Sequence, residues 1–134
     1  MQIRPFFGTL LAQHEAPETA RTQGFTINYV EFGAKAIPKT KRFDAEAFGW
    51  QFQDWGSDYA SYEGAGVDGG FRSDDPSTIT HPLVILYAGD LEAALARVEK
   101  AGGKVLKPIF SFPGGRRFHF ADSAGNELAI WSNH

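Results

Sequence analysis

Apolar and polar positions alternate along the chain in a way that predicts a first series of short elements. The runs "FTINYVEF", "WQFQDW", "YASYEG" and "VDGGFR" are rich in aromatic or β-branched residues, which is typical of strands. Between the first two, "IPKTKRFDAEAFG" predicts a helix, because Pro38 suits a first turn and Gly49 suits a stop. Phe43 and Ala47 are four residues apart, as on one helix face. The glycines of "VDGGFR" predict a bulge or a close backbone approach.

A second series follows the polar break "DDPSTITHP". "LVILYA" predicts a strand, and "DLEAALARVEKAGG" predicts a helix with Asp90 as N-cap and Gly102 at the stop. "KVLKPIF", "RRFHFA" and "ELAIWS" then predict three more strands.

The order βαβββ therefore occurs twice, which indicates a duplicated unit. Val30 and Val84 fall in equivalent strands, and Gly49 and Gly102 end equivalent helices, at an offset of roughly 55 residues in both cases. One half alone has too few strands to make a stable sheet covered by its helix. The pattern predicts an α+β fold. We expect two tandem modules, about 25–73 and 82–134, to form a curved, barrel-like mixed sheet with helices on its convex side.

Residues 1–24 differ from this domain of residues 25–134. "EAPETARTQG" is polar and has no period, so we expect a poorly ordered or partner-docking arm. "PFFGTLLA" faintly resembles a secretory signal core, but it is short and contains Pro5 and Gly8, which argues against a signal peptide. We therefore expect a cytoplasmic protein.

Composition narrows the function classes. The chain has 134 residues, 43% of them apolar, which fits one compact domain with a sizeable core. A net charge of −3 with interspersed signs argues against a nucleic-acid partner. The absence of cysteine excludes disulfides and thiolate chemistry, and no apolar run reaches the ~20 residues of a membrane span.

Three stretches, taken together, resemble the vicinal oxygen chelate superfamily of glyoxalases, extradiol dioxygenases and fosfomycin- and bleomycin-resistance proteins. "INYVEFGAKAIPKTKRFDAEAFGW" is similar to its first strand and helix, and "LVILYAGDLEAALARVEKAGGKV" to the start of its second module. "FHFADSAGNEL" is similar to its closing hairpin. The resemblance implies a U-shaped cavity that takes a small organic molecule.

Members of this superfamily normally bind a metal through His or Glu residues on the first and last strand of each module. The resemblance places Tyr29 and Leu83 at the two first-strand positions and Ala129 at the last-strand glutamate position, with Asp68 the candidate for the fourth. Leucine and alanine have no lone pairs to donate, and a zinc site needs at least three protein ligands. We predict that the chain binds no metal and needs no cofactor.

An alternative keeps the metal by shifting two strands. Glu127 lies two residues from Ala129, and His81 lies two residues from Leu83. Each therefore points to the same face as its neighbour, displaced by about 7 Å along the strand. A metal-dependent lyase or dioxygenase of the glyoxalase class would use shifted ligands such as these.

Strand parity predicts which side chains line the cavity, because those that share a face with the ligand positions point inward. His119 is the candidate general base, acid or hydrogen-bond partner, with Glu31 as a second catalytic candidate that would orient it. Alternatively, His119 satisfies a buried polar group. The residues predicted to bind the ligand are Tyr29, Tyr87, Arg117 and Trp131. Phe118 and Phe120 should face the helices.

Two function classes remain open after this reading. A glyoxalase-like enzyme without metal would depend on His119, Glu31 or a tyrosine for proton transfer. A binding protein like the bleomycin-resistance proteins would need no metal ligands. The resemblance favours a homodimer, and a third reading is an interaction domain with a vestigial cavity.

Overall fold

The computed structural model describes residues 24–74 and 81–134, which form eight strands of a mixed sheet and two helices. The strands are β1 (Thr26–Gly33), β2 (Gln51–Asp54), β3 (Tyr59–Glu63), β4 (Asp68–Arg72), β5 (Leu83–Tyr87), β6 (Lys104–Phe112), β7 (Gly115–Ala121) and β8 (Glu127–Ser132). The helices are α1 (Ile37–Phe48) and α2 (Leu91–Lys100). The α+β class and the two βαβββ modules are confirmed. The predicted arm lies outside the described residues except for Gly24.

The described chain divides into two compact units, 29–83 and 24–28 with 84–134, here called the first and second unit. In the first unit, β1 pairs parallel with β4, β4 antiparallel with β3, and β3 antiparallel with β2. In the second unit, β5 pairs parallel with β8, β8 antiparallel with β7, and β7 antiparallel with β6. The same connectivity in both units is what a duplicated sequence pattern requires.

The helix caps predicted at Asp90 and Gly49 are both present, but α1 buries a different face from the one predicted. Asp90 caps α2, since its Oδ1 accepts a hydrogen bond from the backbone N–H of Ala93 at 3.0 Å. Gly49 adopts the left-handed conformation that ends α1, with φ of 76°. On α1 the buried residues are Ile37 and Asp44, whereas Phe43 is 63% exposed. The stripe of Phe43 and Ala47 therefore does not face the core.

Each unit has its own apolar core between its helix and its sheet. The first core consists of Ala34, Ile37, Ala60, Tyr62 and Phe71, with Phe32, Trp50, Phe52 and Ala65 packed against it. The second consists of Ala88, Leu91, Ala94, Phe118 and Ile130, with Leu86, Leu95, Val98, Ile109 and Phe120 packed against it. Phe118 and Phe120 are thus on the helix side, as strand parity predicts.

The glycine pair of β4 is a place of close approach. A Cβ on Gly69 would lie 2.0 Å from the Tyr62 hydroxyl and 2.1 Å from the Val30 carbonyl oxygen. A Cβ on Gly70 would lie 2.6 Å from the hydroxyl of Tyr59. One tyrosine therefore lies over each glycine, and the predicted close approach is confirmed.

No helix in the described segments combines the length and the apolar character that crossing a bilayer demands.

Candidate functional site

The closing turn of the second unit sets the register of its last strand. Asp122 Oδ1 accepts hydrogen bonds from the backbone N–H groups of Ala124 and Asn126, each at 2.9 Å. Gly125 supplies the positive φ of 88° that the turn needs. β8 then pairs with β7 so that Ala129 lies opposite His119 and Glu127 opposite Ala121. The D-x-x-G-N sequence is therefore a turn that positions Glu127 diagonally from His119.

In the second unit, the face of the strands that points away from α2 is buried as well. It carries the side chains Ile85, Tyr87, Arg117, His119, Ala129 and Trp131, and each of these residues is at most 5% exposed. Four of the predicted site residues, His119, Arg117, Tyr87 and Trp131, thus share one face of one unit. We call it the His119 face.

His119 is held by a carboxylate on the neighbouring strand. Its Nδ1 lies 2.9 Å from Glu127 Oε2. A carboxylate only accepts hydrogen bonds, so Nδ1 carries the hydrogen and Nε2 presents its lone pair. The carboxylate that orients His119 is therefore that of Glu127, whose predicted role was that of a shifted metal ligand on the inward face of the last strand.

The imidazole is neutral at neutral pH. Burial, and then the charge of Arg117, lower the pKa of His119 from 6.5 to about 4, although the hydrogen bond to Glu127 raises it. A neutral imidazole with one nitrogen engaged is a fixed hydrogen-bond acceptor and a potential base.

The second ring nitrogen of His119, Nε2, has no hydrogen-bond partner among the described residues. His119 is 1% exposed, and its Nε2 is a buried atom without a hydrogen-bond partner there. Most buried polar atoms in native proteins are paired, so such an atom calls for a specific explanation. A molecule that donates a hydrogen to Nε2 is one.

Arg117 lies between two rings of β6. Its guanidinium carbon is 5.5 Å from the centroid of Phe110 and 5.6 Å from that of Phe112. Cation–π contacts of this kind hold the charge in a largely apolar setting. Arg116, its neighbour in the sequence, instead forms an ion pair with Glu92 at 2.5 Å, so the two arginines do not act as one clamp.

Tyr87 and Trp131 use their polar atoms inside the protein. The Tyr87 hydroxyl donates to Asn133 Oδ1 at 2.6 Å, and Trp131 Nε1 donates to Asn28 Oδ1 at 3.2 Å. The two rings meet edge to face with centroids 4.8 Å apart. Their predicted contribution to a ligand is therefore ring surface rather than hydrogen bonds. Asn28 was missed by the sequence analysis; a polar residue inside the β-branched run "FTINYV" was the available signal.

The other predicted site residues, Tyr29 and Glu31, belong to an array in the first unit. Tyr59 donates to Glu31 Oε2 at 2.9 Å, and Arg72 Nη1 lies 3.3 Å from Glu31 Oε1. The two hydroxyls of Tyr29 and Tyr59 are 2.6 Å apart. Because Tyr59 gives its only hydrogen to Glu31, the hydrogen between the phenols comes from Tyr29.

Burial keeps these phenols neutral. Burial first, and the negative charge of Glu31 second, raise the pKa of both Tyr29 and Tyr59 well above 10. The pairing of Glu31 with His119 stays a prediction: the hydrogen bonds described above join Glu31 to Tyr59 and Arg72, and His119 to Glu127.

The residues at the superfamily's metal positions do not fit a metal. Leu83 and Ala129 are buried apolar side chains, 1% and 0% exposed. Glu127 is engaged with His119, and His81 is exposed on the surface. Within 24–74 and 81–134 no three His, Cys, Asp or Glu side chains cluster as a metal site would require.

Comparison with known proteins agrees with this fold. The family model of the Glyoxalase/Bleomycin resistance protein/Dioxygenase superfamily matches residues 26–130. Among curated proteins no match was found.

Several solved structures share the fold at low sequence identity. A superfamily member from Vibrio splendidus 12B01 has a TM-score of 0.65 at 14% identity, covering 80% of this chain and 99% of its own. Methylmalonyl-CoA epimerase from Mycobacterium tuberculosis has a TM-score of 0.63 at 12% identity, covering 90% and 94%. The Mn(II)-bound glyoxalase from Novosphingobium aromaticivorans has a TM-score of 0.62 at 24% identity, and the match covers 84% of this chain but 40% of that one. The family match and the shared fold lead to one conclusion: this chain belongs to the glyoxalase/bleomycin resistance protein/dioxygenase superfamily.

Proposed function

We propose that this chain binds a small organic molecule on the His119 face without a metal, and that His119 Nε2 receives a hydrogen from that molecule. The observation that carries the proposal is a buried Nε2 with no partner among the described residues, on an imidazole whose Nδ1 is bound to Glu127.

The electrostatics of the site support an acceptor role. With the pKa of His119 lowered to about 4, the imidazole is neutral near pH 7 and its Nε2 lone pair is available. Glu127 fixes the tautomer in the manner of a base–orienter pair. This arrangement serves a binding protein as a hydrogen-bond acceptor. It serves an enzyme as a general base, a role that typically contributes ~10²–10⁴-fold to a rate.

The tautomer can be tested without knowing the ligand. ¹⁵N NMR of the wild-type protein near pH 7 should show a neutral His119 with the hydrogen on Nδ1. Glu127→Gln is the matched variant, because it keeps the shape and removes the carboxylate. A doubly protonated ring, or a hydrogen on Nε2 in the wild type, contradicts the proposal.

Binding can be tested by a thermal-shift screen of small carbonyl and hydroxyl compounds. Compounds that raise the Tm of the wild type should lose most of that effect in His119→Phe, which keeps a ring but has no acceptor. His81→Phe serves as a control on an exposed histidine. Unchanged binding in His119→Phe would place the site elsewhere.

A metal-dependent reaction of the glyoxalase class is the second candidate. Its support is the fold shared with an Mn(II)-bound glyoxalase. Elemental analysis of the purified protein separates the two candidates. Our proposal expects no stoichiometric metal, because Leu83 and Ala129 cannot coordinate one, and about one transition metal per chain would favour the second candidate.

The proposal includes a homodimer in the cytoplasm. Phe43 and Phe48, 63% and 59% exposed on α1, offer apolar surface of the kind that subunits bury. Light scattering tests the oligomeric state, and cell fractionation tests the location.

A further inference from the structure

We infer that the molecule bound at the His119 face also carries a carbonyl-type oxygen, which accepts a hydrogen bond from the side-chain amide of Asn28. This inference rests on the proposed function and names the class of ligand: a small, flat compound with a hydrogen-bond donor and a separate oxygen acceptor.

The Asn28 amide is buried and half satisfied. Asn28 is 9% exposed, and its Oδ1 accepts the hydrogen of Trp131 Nε1 at 3.2 Å. Its Nδ2 is a buried atom without a hydrogen-bond partner among the described residues. Leaving a buried donor unpaired costs roughly 1–3 kcal/mol, so a partner for Nδ2 is expected.

The orientation of this amide follows from its neighbour. Oxygen and nitrogen of an asparagine side chain are usually assigned from their hydrogen bonds. The indole N–H only donates, so the atom facing Trp131 has to be the oxygen. The unpaired atom is therefore a donor, and its partner has to be an acceptor.

Asn28 is linked to the His119 face by its hydrogen bond with Trp131. Trp131 lies opposite Arg117 in the pairing of β7 with β8, and Arg117 is two residues from His119 on one side of β7. Under this inference the ligand meets Asn28 Nδ2 as a donor and His119 Nε2 as an acceptor. Phe112, whose ring centroid is 6.2 Å from that of Trp131, adds aromatic surface. Aromatic surface with a few placed polar atoms favours a flat organic compound.

The test compares three neutral probes that differ only in these two groups. 4-Hydroxyacetophenone carries a donor and a carbonyl acceptor, phenol carries the hydroxyl alone, and acetophenone the carbonyl alone. Neutral probes keep the charge of Arg117 from dominating. In the wild type, 4-hydroxyacetophenone should raise the Tm most and bind roughly tenfold more tightly than either fragment.

Two variants separate the two contacts. Asn28→Asp keeps an oxygen for Trp131 and replaces the donor by an acceptor, so 4-hydroxyacetophenone should bind no better than phenol. His119→Phe should bring its binding down to that of acetophenone. If Asn28→Asp does not fold, NMR of the wild type serves instead. The side-chain amide hydrogens of Asn28 should shift with 4-hydroxyacetophenone and not with phenol.

Each outcome decides something. If Asn28→Asp binds 4-hydroxyacetophenone as the wild type does while His119→Phe does not, the inference is wrong and the proposed function stands. If both variants bind as the wild type does, both are wrong. The absence of any advantage of 4-hydroxyacetophenone in the wild type also overturns the inference, and the tautomer of His119 then tests the proposed function by itself.

Discussion

The two units have the same connectivity but opposite chemistry on the sheet face that points away from the helix. In the first unit, Glu31 accepts from Tyr59 and pairs with Arg72, and Tyr29 completes the array. In the second unit, His119 has one carboxylate partner and a buried nitrogen without a partner in the described part of the chain. The Glu31 array in the first unit pairs its polar side chains with one another, whereas the proposed function assigns the Nε2 atom of His119 in the second unit to a ligand.

Position by position, the pairing shows how the same frame gives both results. Ser61 lies opposite Gly70 in the first unit, where His119 lies opposite Ala129 in the second. Glu31 lies opposite Gly70 across the parallel pair, where Ile85 lies opposite Ala129. On this face the first unit thus carries the buried Glu31 on its first strand, whereas the second unit carries the buried His119 on its third strand. Under the proposed function, the two copies of the fold therefore divide a structural and a binding role between them.

The largest expected effect on stability comes from replacing Glu31 of the first unit with isoleucine, the residue at the equivalent position, Ile85, of the second unit. Glu31→Ile leaves Arg72 and Tyr59 without their buried acceptor, and it should lower the free energy of unfolding by about 3–5 kcal/mol. Urea denaturation measures it. The double variant Glu31→Ile with Arg72→Met should lose less than the sum of the single changes. Strict additivity would show that the array is not a unit.

The next effect is the pH dependence that His119 gives to the second unit. Its pKa is about 4 when folded and 6.5 when exposed, so the unfolded chain binds more protons between these values. The contribution of neutral His119 to the free energy of unfolding is fully present above pH 6.5. It is lost as the pH drops towards 4, by roughly 1.4 kcal/mol for each unit of difference between the two pKa values.

His119→Gln is the control for this titration. It should flatten the fall in stability between pH 6.5 and 4 relative to the wild type, measured by urea denaturation at each pH. Identical pH profiles of the two proteins would contradict the lowered pKa of His119.

A smaller effect follows from the exchange of glycine and alanine between equivalent positions. Gly70→Ala puts a Cβ 2.6 Å from the Tyr59 hydroxyl, and the overpacking should cost about 1–3 kcal/mol. Ala129→Gly, the reverse change in the second unit, should cost about 1 kcal/mol or less from backbone entropy. Equal costs would mean that Tyr59 moves freely and does not hold the array in place.

The smallest effect on stability is expected for Glu127→Gln, about 1 kcal/mol or less, because the amide can still accept from His119. The larger readout is the pKa of His119, which should fall below its wild-type value, since the carboxylate raises it. NMR titration of the His119 ring measures this. A rise in the pKa would contradict the pairing.

Local patterns predicted the fold well because they reflect local physics. The cap at Asp90, the stop at Gly49 and the helix side of Phe118 all follow from short-range rules of capping and strand parity. The exposed face of α1 did not follow from the pattern, since Phe43 and Ala47 match a buried stripe as well as the true face does.

The site was predicted in its members more than in its contacts. Parity placed Arg117, His119 and Trp131 on one face, but the partner of His119 depends on the pairing of β7 with β8, which spacing alone does not give. Asn28 was missed because its bond to Trp131 joins residues far apart in the chain. The array around Glu31 was missed in part for the same reason, as Tyr59 and Arg72 come from other strands.

The glycine pair of β4 has a practical consequence. Because Gly69 is covered by Tyr62, which belongs to the core beneath α1, and Gly70 by Tyr59, which belongs to the Glu31 array, adjacent residues govern opposite sides of one strand. A substitution at Gly69 therefore disturbs the apolar core beneath α1, and a substitution at Gly70 disturbs the Glu31 array. A systematic mutational scan should record Gly69 as the less tolerant position, because a Cβ there also meets the Val30 carbonyl oxygen of the backbone, whereas the nearest atoms to a Cβ on Gly70 belong to the Tyr59 side chain.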